Sequence, residues 1–524
     1  MTPPTSEVTV RFVPRLILAT LVAVLGVVGM ASPAGAHTGF ESSDPPDGAS
    51  VDSPVEVVTL SFTGEAEPAG DGFQLLDSNG ELREPAEAST DDGKSWKLRF
   101  DPAVTGGTVG LRWSVQAPDA HPISGSFSFT VTAPAPAAVP DPDTEDGVAP
   151  TEDAPDATVP AVADSSEGDL ESFLAAGGND ADGGDRLGSA GRAVTLLGTL
   201  LGVGALVFAA TALRGTRRDV RHVMHWVRRA GVLVLLGASL ELIAQLVAVG
   251  GGWSGVWSLA TVVSVVGSSF GIAIGLLLLG GVALLFGAQL DTAPAVDIRD
   301  PVAALTDRVR VGAGSHSVHG GRTGSARKEP GAADSVHRDD HAWLPTVESA
   351  AAFFGAAALL AANLFDGHTV TKGPRLVTAV VDVVHVAGAA IWAGGVAMLA
   401  VVLWRRHRQG RPSRAALLAL RFSVVATLAI VAVGVAGVVL AVIILDSPSE
   451  LWSTEWGRLL IAKTVFVVAA AAAGAYNHRV LIPQMSHDPD SPQLSARFRS
   501  VITAEAAALF IVLVLTAFLV GAAS

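Results

Sequence analysis

The chain has 524 residues, too many for one ordinary domain, and a formal net charge of −15. Hydrophobic residues make up 49% and charged residues 16%. That is the balance of a membrane protein, and the acidic total argues against the clustered basic surface that nucleic-acid binding requires. Cysteine is absent, which removes disulfides, iron–sulfur clusters and thiolate metal sites. Any metal ligand must come from His, Asp, Glu, Met or a terminal amine.

Residues 1–36 read as a signal peptide. Arg11 and Arg15 flank the apolar run Leu16 to Met30, which is short of the ~20 residues a bilayer span needs. Ala34-Gly35-Ala36 is a small-residue cleavage site. Cleavage there makes His37 the first mature residue, whose free α-amine and imidazole can grip one metal ion together. Residues 37–135 show period-two alternation: Trp96, Leu98, Phe100; Val109, Leu111, Trp113, Val115; Phe127, Phe129, Val131. Turn clusters such as Asp77-Ser78-Asn79-Gly80 separate the runs. The pattern predicts a small all-β, Ig-like sandwich. Residues 136–188 are rich in Ala, Pro, Asp and Glu and predict a disordered tether. Residues 189–524 predict an all-α polytopic membrane domain of about eight spans, broken by a polar loop at 288–343 that is expected to be disordered.

The basic residues orient these spans. Arg214, Arg217, Arg218, Arg221, Arg228 and Arg229 crowd one loop, and Arg405, Arg406, Arg408, Arg411 and Arg414 another. The loops at 251–257 and 446–457 have neither Lys nor Arg. The positive-inside rule makes the crowded loops cytoplasmic. The expected protein is therefore multi-pass in the cell membrane, with residues 37–188 and the C-terminus extracytoplasmic.

Asp119 and His121 lie near the end of the β-domain in Ala117-Pro118-Asp119-Ala120-His121-Pro122. Two residues apart in an extended segment, they leave the same face. With His37 they offer an amine, two imidazoles and a carboxylate, an N/O set that suits tetragonal Cu(II). The amine must lose a proton to bind, which its ordinary pKa of about 8 makes cheap when a metal is present.

Inside the membrane half, polar side chains are costly and so become candidates. Asp382 and His385 share a helix face at i, i+3. His368, in Asp366-Gly367-His368, lies just outside the fourth span and is placed to receive a metal before His385. Met398, towards the other end of the same helix, reads first as a packing residue, with a place on the copper pathway as its alternative role. Lys463 and Glu505 read as a structural intramembrane pair, since buried charges need partners.

The run His37-Thr-Gly-Phe-Glu-Ser-Ser-Asp-Pro-Pro-Asp-Gly, followed by Trp113-Ser-Val-Gln-Ala-Pro-Asp119-Ala-His121-Pro-Ile-Ser-Gly125, resembles the CopC copper-binding proteins. The resemblance implies a β-sandwich that binds Cu(II) through His37, Asp119 and His121. Ala120 stands where the family usually has Gly. The domain has no Met, so the Met-rich Cu(I) site of some relatives is not expected. His385-x6-Trp392-x-Gly394-Gly395, Trp456-Gly-Arg-Leu-Leu-Ile-Ala-Lys463, Asn477-His478-Arg-Val-Leu-Ile-Pro483 and the closing Glu505 helix resemble the CopD membrane domain. CopC fused ahead of CopD is the arrangement of YcnJ-like proteins.

Together these readings predict a copper-handling membrane protein that captures Cu(II) outside and transports copper, with import as the leading direction. Sequestration or sensing, with the helices as anchor, is the alternative. No Gly-x4-Gly-Lys-[Ser/Thr] loop occurs, so ATP is not the expected driver. Passage as Cu(I) would need a reductant, and delivery would need a copper-accepting protein. An oxidative copper enzyme is not expected: Asp119 fills a ligand place, and no exposed aromatic platform stands out.

Overall fold

The computed structural model describes residues 38–118, 122–133, 164–176, 182–288, 292–294, 341–343, 345, 349–365, 375–411, 414–445, 447–488 and 491–521. These fall into two compact units. One holds the β-domain with residues 243–270; the other holds the remaining helices.

In the first unit the alternating runs become two sheets. Strands β1 (Phe40–Asp44), β3 (Val55–Phe62), β7 (Ser95–Val104) and β6 (Glu87–Thr90) form one, in the order β1-β3-β7-β6. The other runs β2-β9-β8-β4-β5, from β2 (Ser50–Val51), β9 (Pro122–Val131), β8 (Gly107–Gln116), β4 (Glu67–Leu76) and β5 (Leu82–Arg83). Inward positions interleave: Val58, Leu60, Phe62, Leu98 and Phe100 meet Leu75, Val109, Leu111, Trp113, Phe127 and Phe129, all at most 5% exposed. This is the expected sandwich. Trp113 pairs with Gly125 across β8 and β9. A Cβ at Gly125 would lie 2.5 Å from the indole Cζ2, so glycine is what lets the ring lie flat over the neighbouring strand.

Part of the expected tether is ordered. Helix α1 (Asp164–Ala176) packs on β8, with Leu170, Phe173 and Leu174 over Gly110. Arg112 lies 4.9 Å from the Phe173 ring centroid, and Ser126 Oγ donates to the Leu174 carbonyl at 3.1 Å. Three apolar residues at helical spacing bury against the sheet and offset the ordering entropy that an acidic, Pro-rich stretch alone would not. The ends of the 288–343 loop are ordered too. Thr292–Pro294 pairs with His341–Trp343 in an antiparallel ribbon, and buried Trp343 stacks on Phe353 at 5.8 Å.

Among the described residues, seven helices are long and apolar enough to cross a membrane. They are Arg186–Thr211 within α2 (Asp182–Thr211), α3 (Arg217–Val249), α5 (Ser269–Gly287), the helix Val377–Arg408, α9 (Ala415–Ile444), the helix Glu455–His487 and Pro492–Ala517. A shorter apolar helix, α6 (Ala350–Ala362), stands where the fourth of the eight spans was expected. Between α3 and α5 lies the short α4 (Leu259–Gly267). Two of the spans contain π-turns. Ala390–Gly394 separates α7 (Arg375–Ala389) from α8 (Gly395–Arg408). Asn477–Leu481 follows α11 (Glu455–Tyr476) and precedes α12 (Ile482–His487), while α10 (Glu450–Ser453) is a single turn ahead of α11. The last helix is α13 (Pro492–Gly521). A Cβ at Gly394 would run into the Leu200 carbonyl of α2, and one at Gly395 into the Phe422 ring of α9. The Gly-Gly pair therefore seats the π-turn between two helices.

One end of this unit is tied by a buried carboxylate. Asp219, 1% exposed, accepts from Arg406 Nη2 at 3.1 Å, from Arg411 Nη2 at 2.9 Å and Nη1 at 3.0 Å, and from the Thr216 amide at 3.2 Å. Arg406, itself 2% exposed, also donates to the Arg214 carbonyl. These arginines read in the sequence as a cytoplasmic flank; here two of them pin the loops together. Asp219→Ala leaves Arg406 buried without its carboxylate and is expected to cost about 3–5 kcal/mol. Detergent-micelle unfolding of the full chain measures this, and a loss under about 1 kcal/mol would mean the network contributes little.

Candidate functional site

His37, Asp119 and His121 lie outside the described residues, as does His368. The segments that carry the first three are nonetheless anchored. Thr38, 3% exposed, donates its hydroxyl to the Glu65 carbonyl at 2.5 Å, and the Gly39 amide donates to Thr63 Oγ1 at 2.8 Å. Phe40 then stacks on Trp113 at 5.3 Å. On the other side, β8 ends at Gln116, which pairs with Pro122 at the start of β9. Glu67 pairs with Gln116 in the adjoining β4–β8 ladder. Thr38 is thus fixed two residues before Glu67, and the hairpin root is fixed opposite Glu67. Thr38 and Gln116 therefore stand at one rim of the sandwich.

An open groove of about 800 Å3 lies at this rim, lined by Glu65, Glu67, Gln116 and Pro118 and by Val263 and Ser264 of α4. Gln116, 6% exposed, donates through Nε2 to Ser264 Oγ at 2.6 Å and to Glu67 Oε2 at 3.4 Å. Among the described residues, no group of three or more His, Asp or Glu side chains is placed to hold a metal.

In the helical unit His385 and Asp382 stand one turn apart on α7. His385 Nδ1 lies 3.1 Å from the Val433 carbonyl of α9. A carbonyl only accepts, so Nδ1 carries the hydrogen and donates it. That leaves Nε2 with its lone pair, the tautomer a metal-binding imidazole needs. Gly437 makes room: a Cβ there would sit 3.2 Å from His385 Cε1. Lys463 of α11 lies within electrostatic reach of both Asp382 and His385. Met398 is buried on α8 at 1% exposure. It is about 20 Å further along the helix from His385 by the rise per residue, so the two do not share a site.

The expected Lys463–Glu505 pair does not form. Glu505 faces Gly474, three turns beyond Lys463 on α11, a separation of about 16 Å. Its carboxylate, 3% exposed, instead accepts from Trp392 Nε1 at 3.2 Å and Asn477 Nδ2 at 3.4 Å. Both donors belong to π-turns, which shift side-chain direction by an extra residue and so escape a 3.6-residue reading. Their signal in the sequence was a polar Trp and Asn within otherwise apolar helices. Glu241 is met by Thr195, whose Oγ1 donates to Oε1 at 2.5 Å.

Residues 40–132 match the CopC domain family, and residues 415–519 match the family copper resistance protein D, CopD. The chain is 32% identical over 123 residues to copper transport protein CutJ of Bacillus subtilis (strain 168), covering 24% of this chain and 22% of CutJ. It thus spans about a fifth of the length of that curated relative. It is 35% identical over 121 residues to copper resistance protein C of Xanthomonas campestris pv. juglandis, covering 22% of this chain and 94% of that protein. Among solved structures, CopC from Methylosinus trichosporium OB3b aligns at 24% identity and a TM-score of 0.17, over 18% of this chain and 95% of that one.

Nitrogen NMR of full-length protein in nanodiscs, labelled at histidine, is expected to show His385 protonated at Nδ1 and bare at Nε2. A proton on Nε2 would remove the free lone pair on which a ligand role depends.

Proposed function

This chain belongs to the CopC copper resistance family and carries a CopD domain behind it, and from that premise we propose that it captures Cu(II) outside the cell membrane and moves copper into the cytoplasm. It is a multi-pass, copper-handling membrane protein. The capture site is His37, with its amine freed by cleavage after Ala36, together with Asp119 and His121. The observation that supports this reading is that the described residues beside the candidate ligands share one rim: Thr38 is held on the Glu65 carbonyl, and Gln116, paired with Pro122, lies opposite Glu67. A hydroxyl held one residue from the terminus restricts where an N-terminal amine can sit, which is the preorganisation a metal chelate needs.

The proposed path runs from His368 to Asp382 and His385, where Nε2 is the donor, with Met398 a later station. Lys463 beside Asp382 and His385 offsets the carboxylate's charge, so the arrangement does not hold a cation too firmly to release it. Residues 37–188 and the C-terminus lie outside in this reading, with the arginine-rich loops in the cytoplasm. Copper is the cargo, and no catalytic step is assigned to it.

Mass spectrometry of the mature N-terminus and Cu(II) titration followed by electron paramagnetic resonance test the capture site. One tetragonal Cu(II) per chain is expected, with His121→Ala abolishing the signal. Thr38→Val should weaken binding about tenfold by loosening the terminus. For transport, radio-copper uptake should fall about tenfold or more in His385→Ala. Unchanged uptake after removal of residues 190–524 would overturn import and leave sequestration as the function.

A further inference from the structure

A cavity of about 440 Å3 lies among α8, α9, the Asn477–Leu481 π-turn and α13. Its buried polar side chains are Glu505 and Asn477. Glu505 contributes a carboxylate whose hydrogen bonds come from two neutral donors, Trp392 and Asn477. Asn477, 4% exposed, spends its amide nitrogen on Glu505, and its Oδ1 has no hydrogen-bond partner. Ser423 and Thr427 also line the cavity, and each hydroxyl gives its hydrogen to a carbonyl of its own helix, Leu420 at 2.8 Å and Ser423 at 2.7 Å. Their oxygens present only lone pairs to the space. A buried carboxylate beside an orphaned amide oxygen, with Ser423 half-buried and Thr427 exposed at the wall, is costly in a membrane helix bundle unless a cation reaches it.

No ion pair among the described residues involves Glu505. His478 and Arg479 line the cavity but are exposed. The other ionisable groups of the surrounding helices are engaged elsewhere. Lys463 faces Asp382, Arg405 meets His222, Arg406 holds Asp219, Arg497 stacks over Tyr476 and His487 bonds the Pro483 carbonyl. Arg421 of α9, Arg458 of α11 and Arg499 of α13 do not line the cavity.

We propose that this cavity is a binding site for a small monovalent cation, held by Glu505 and Asn477 with the Ser423 and Thr427 hydroxyls at its wall. All-oxygen donors suit a hard cation and disfavour soft Cu(I), so the ligand is a proton or a sodium ion rather than the cargo. Both donor π-turns, Ala390–Gly394 and Asn477–Leu481, converge on this one carboxylate, and π-turns concentrate where helices serve a function. Such a site supplies what the transport reading lacks, a coupling ion in place of ATP. That coupling rests on the transport reading; the binding site does not.

The test uses the full chain in nanodiscs without copper, so its outcome is independent of copper movement. Radiosodium binding and infrared difference spectra between acid and alkaline buffers are measured on wild type, Glu505→Gln and Asn477→Leu. Either saturable sodium binding at one ion per chain, or a carboxylic-acid band that shifts in heavy water, is expected in the wild type. The first outcome identifies sodium and the second a proton. Glu505→Gln should abolish the signal, and Asn477→Leu should weaken it about tenfold, the effect of losing one hydrogen bond to a charged group. Because glutamine keeps the shape, can accept from Trp392 through its one oxygen and can donate to the Asn477 amide oxygen once that amide turns over, Glu505→Gln should elute as wild type on size exclusion. If it does not, Asn477→Leu alone decides. Wild-type and variant signals that coincide in both measurements would overturn the site.

Discussion

A charge buried among apolar helices must find its partner inside the bundle, because lipid offers none. Much of the helical architecture follows from that constraint. Asp219 is satisfied by Arg406, Arg411 and the Thr216 amide, and so ties a loop between two helices to the end of α8. Glu241 is met by Thr195 of α2. Among the described residues, Glu505 is met by Trp392 and Asn477, both neutral. The three carboxylates differ in what surrounds them rather than in kind. The one met by arginines is a structural tie, whereas the one met by neutral groups beside a cavity is left able to take up a cation.

The glycines of the His385-x6-Trp-x-Gly-Gly run acquire a role through the same constraint. Gly394 lets the π-turn press against Leu200 and Gly395 lets Phe422 lie close. That approach brings the Trp392 indole to Glu505. Packing and polar satisfaction are here one event: without close helix contact the donor would not reach the carboxylate, and the carboxylate would be buried at full cost.

The β-domain works under the opposite condition. Its candidate ligands lie outside the described residues, and the sandwich holds the residues beside them, Thr38 and Gln116. The aromatic group Phe40, Phe62, Trp113 and Phe127 locks the first strand to the hairpin from within. Thr38 and Gly39 then fix the chain just before that strand. The capture site proposed for this rim depends on the core for its geometry and on signal cleavage for its amine.

Alternation with period two determined the sandwich, and apolar length determined the membrane spans, because both patterns are local and repeat along the chain. The candidate ligand trio rests on residue type and sequence setting, a histidine after a cleavage motif and a second in a Pro-flanked Asp-x-His run, and it lies outside the described residues. Partnership was not legible. Lys463 and Glu505 were the obvious pair by charge, yet helix rise places them about 16 Å apart along α11, and π-turns deliver Trp392 and Asn477 instead. The acidic tether was read as disordered because its average composition is polar. A three-residue apolar face, Leu170, Phe173 and Leu174, escaped that average and found a sheet to cover. The sequence by itself determined the two domains and the chemical types available to each. Tertiary structure alone decided which charges meet, because contacts between distant helices depend on register and approach that no local pattern encodes.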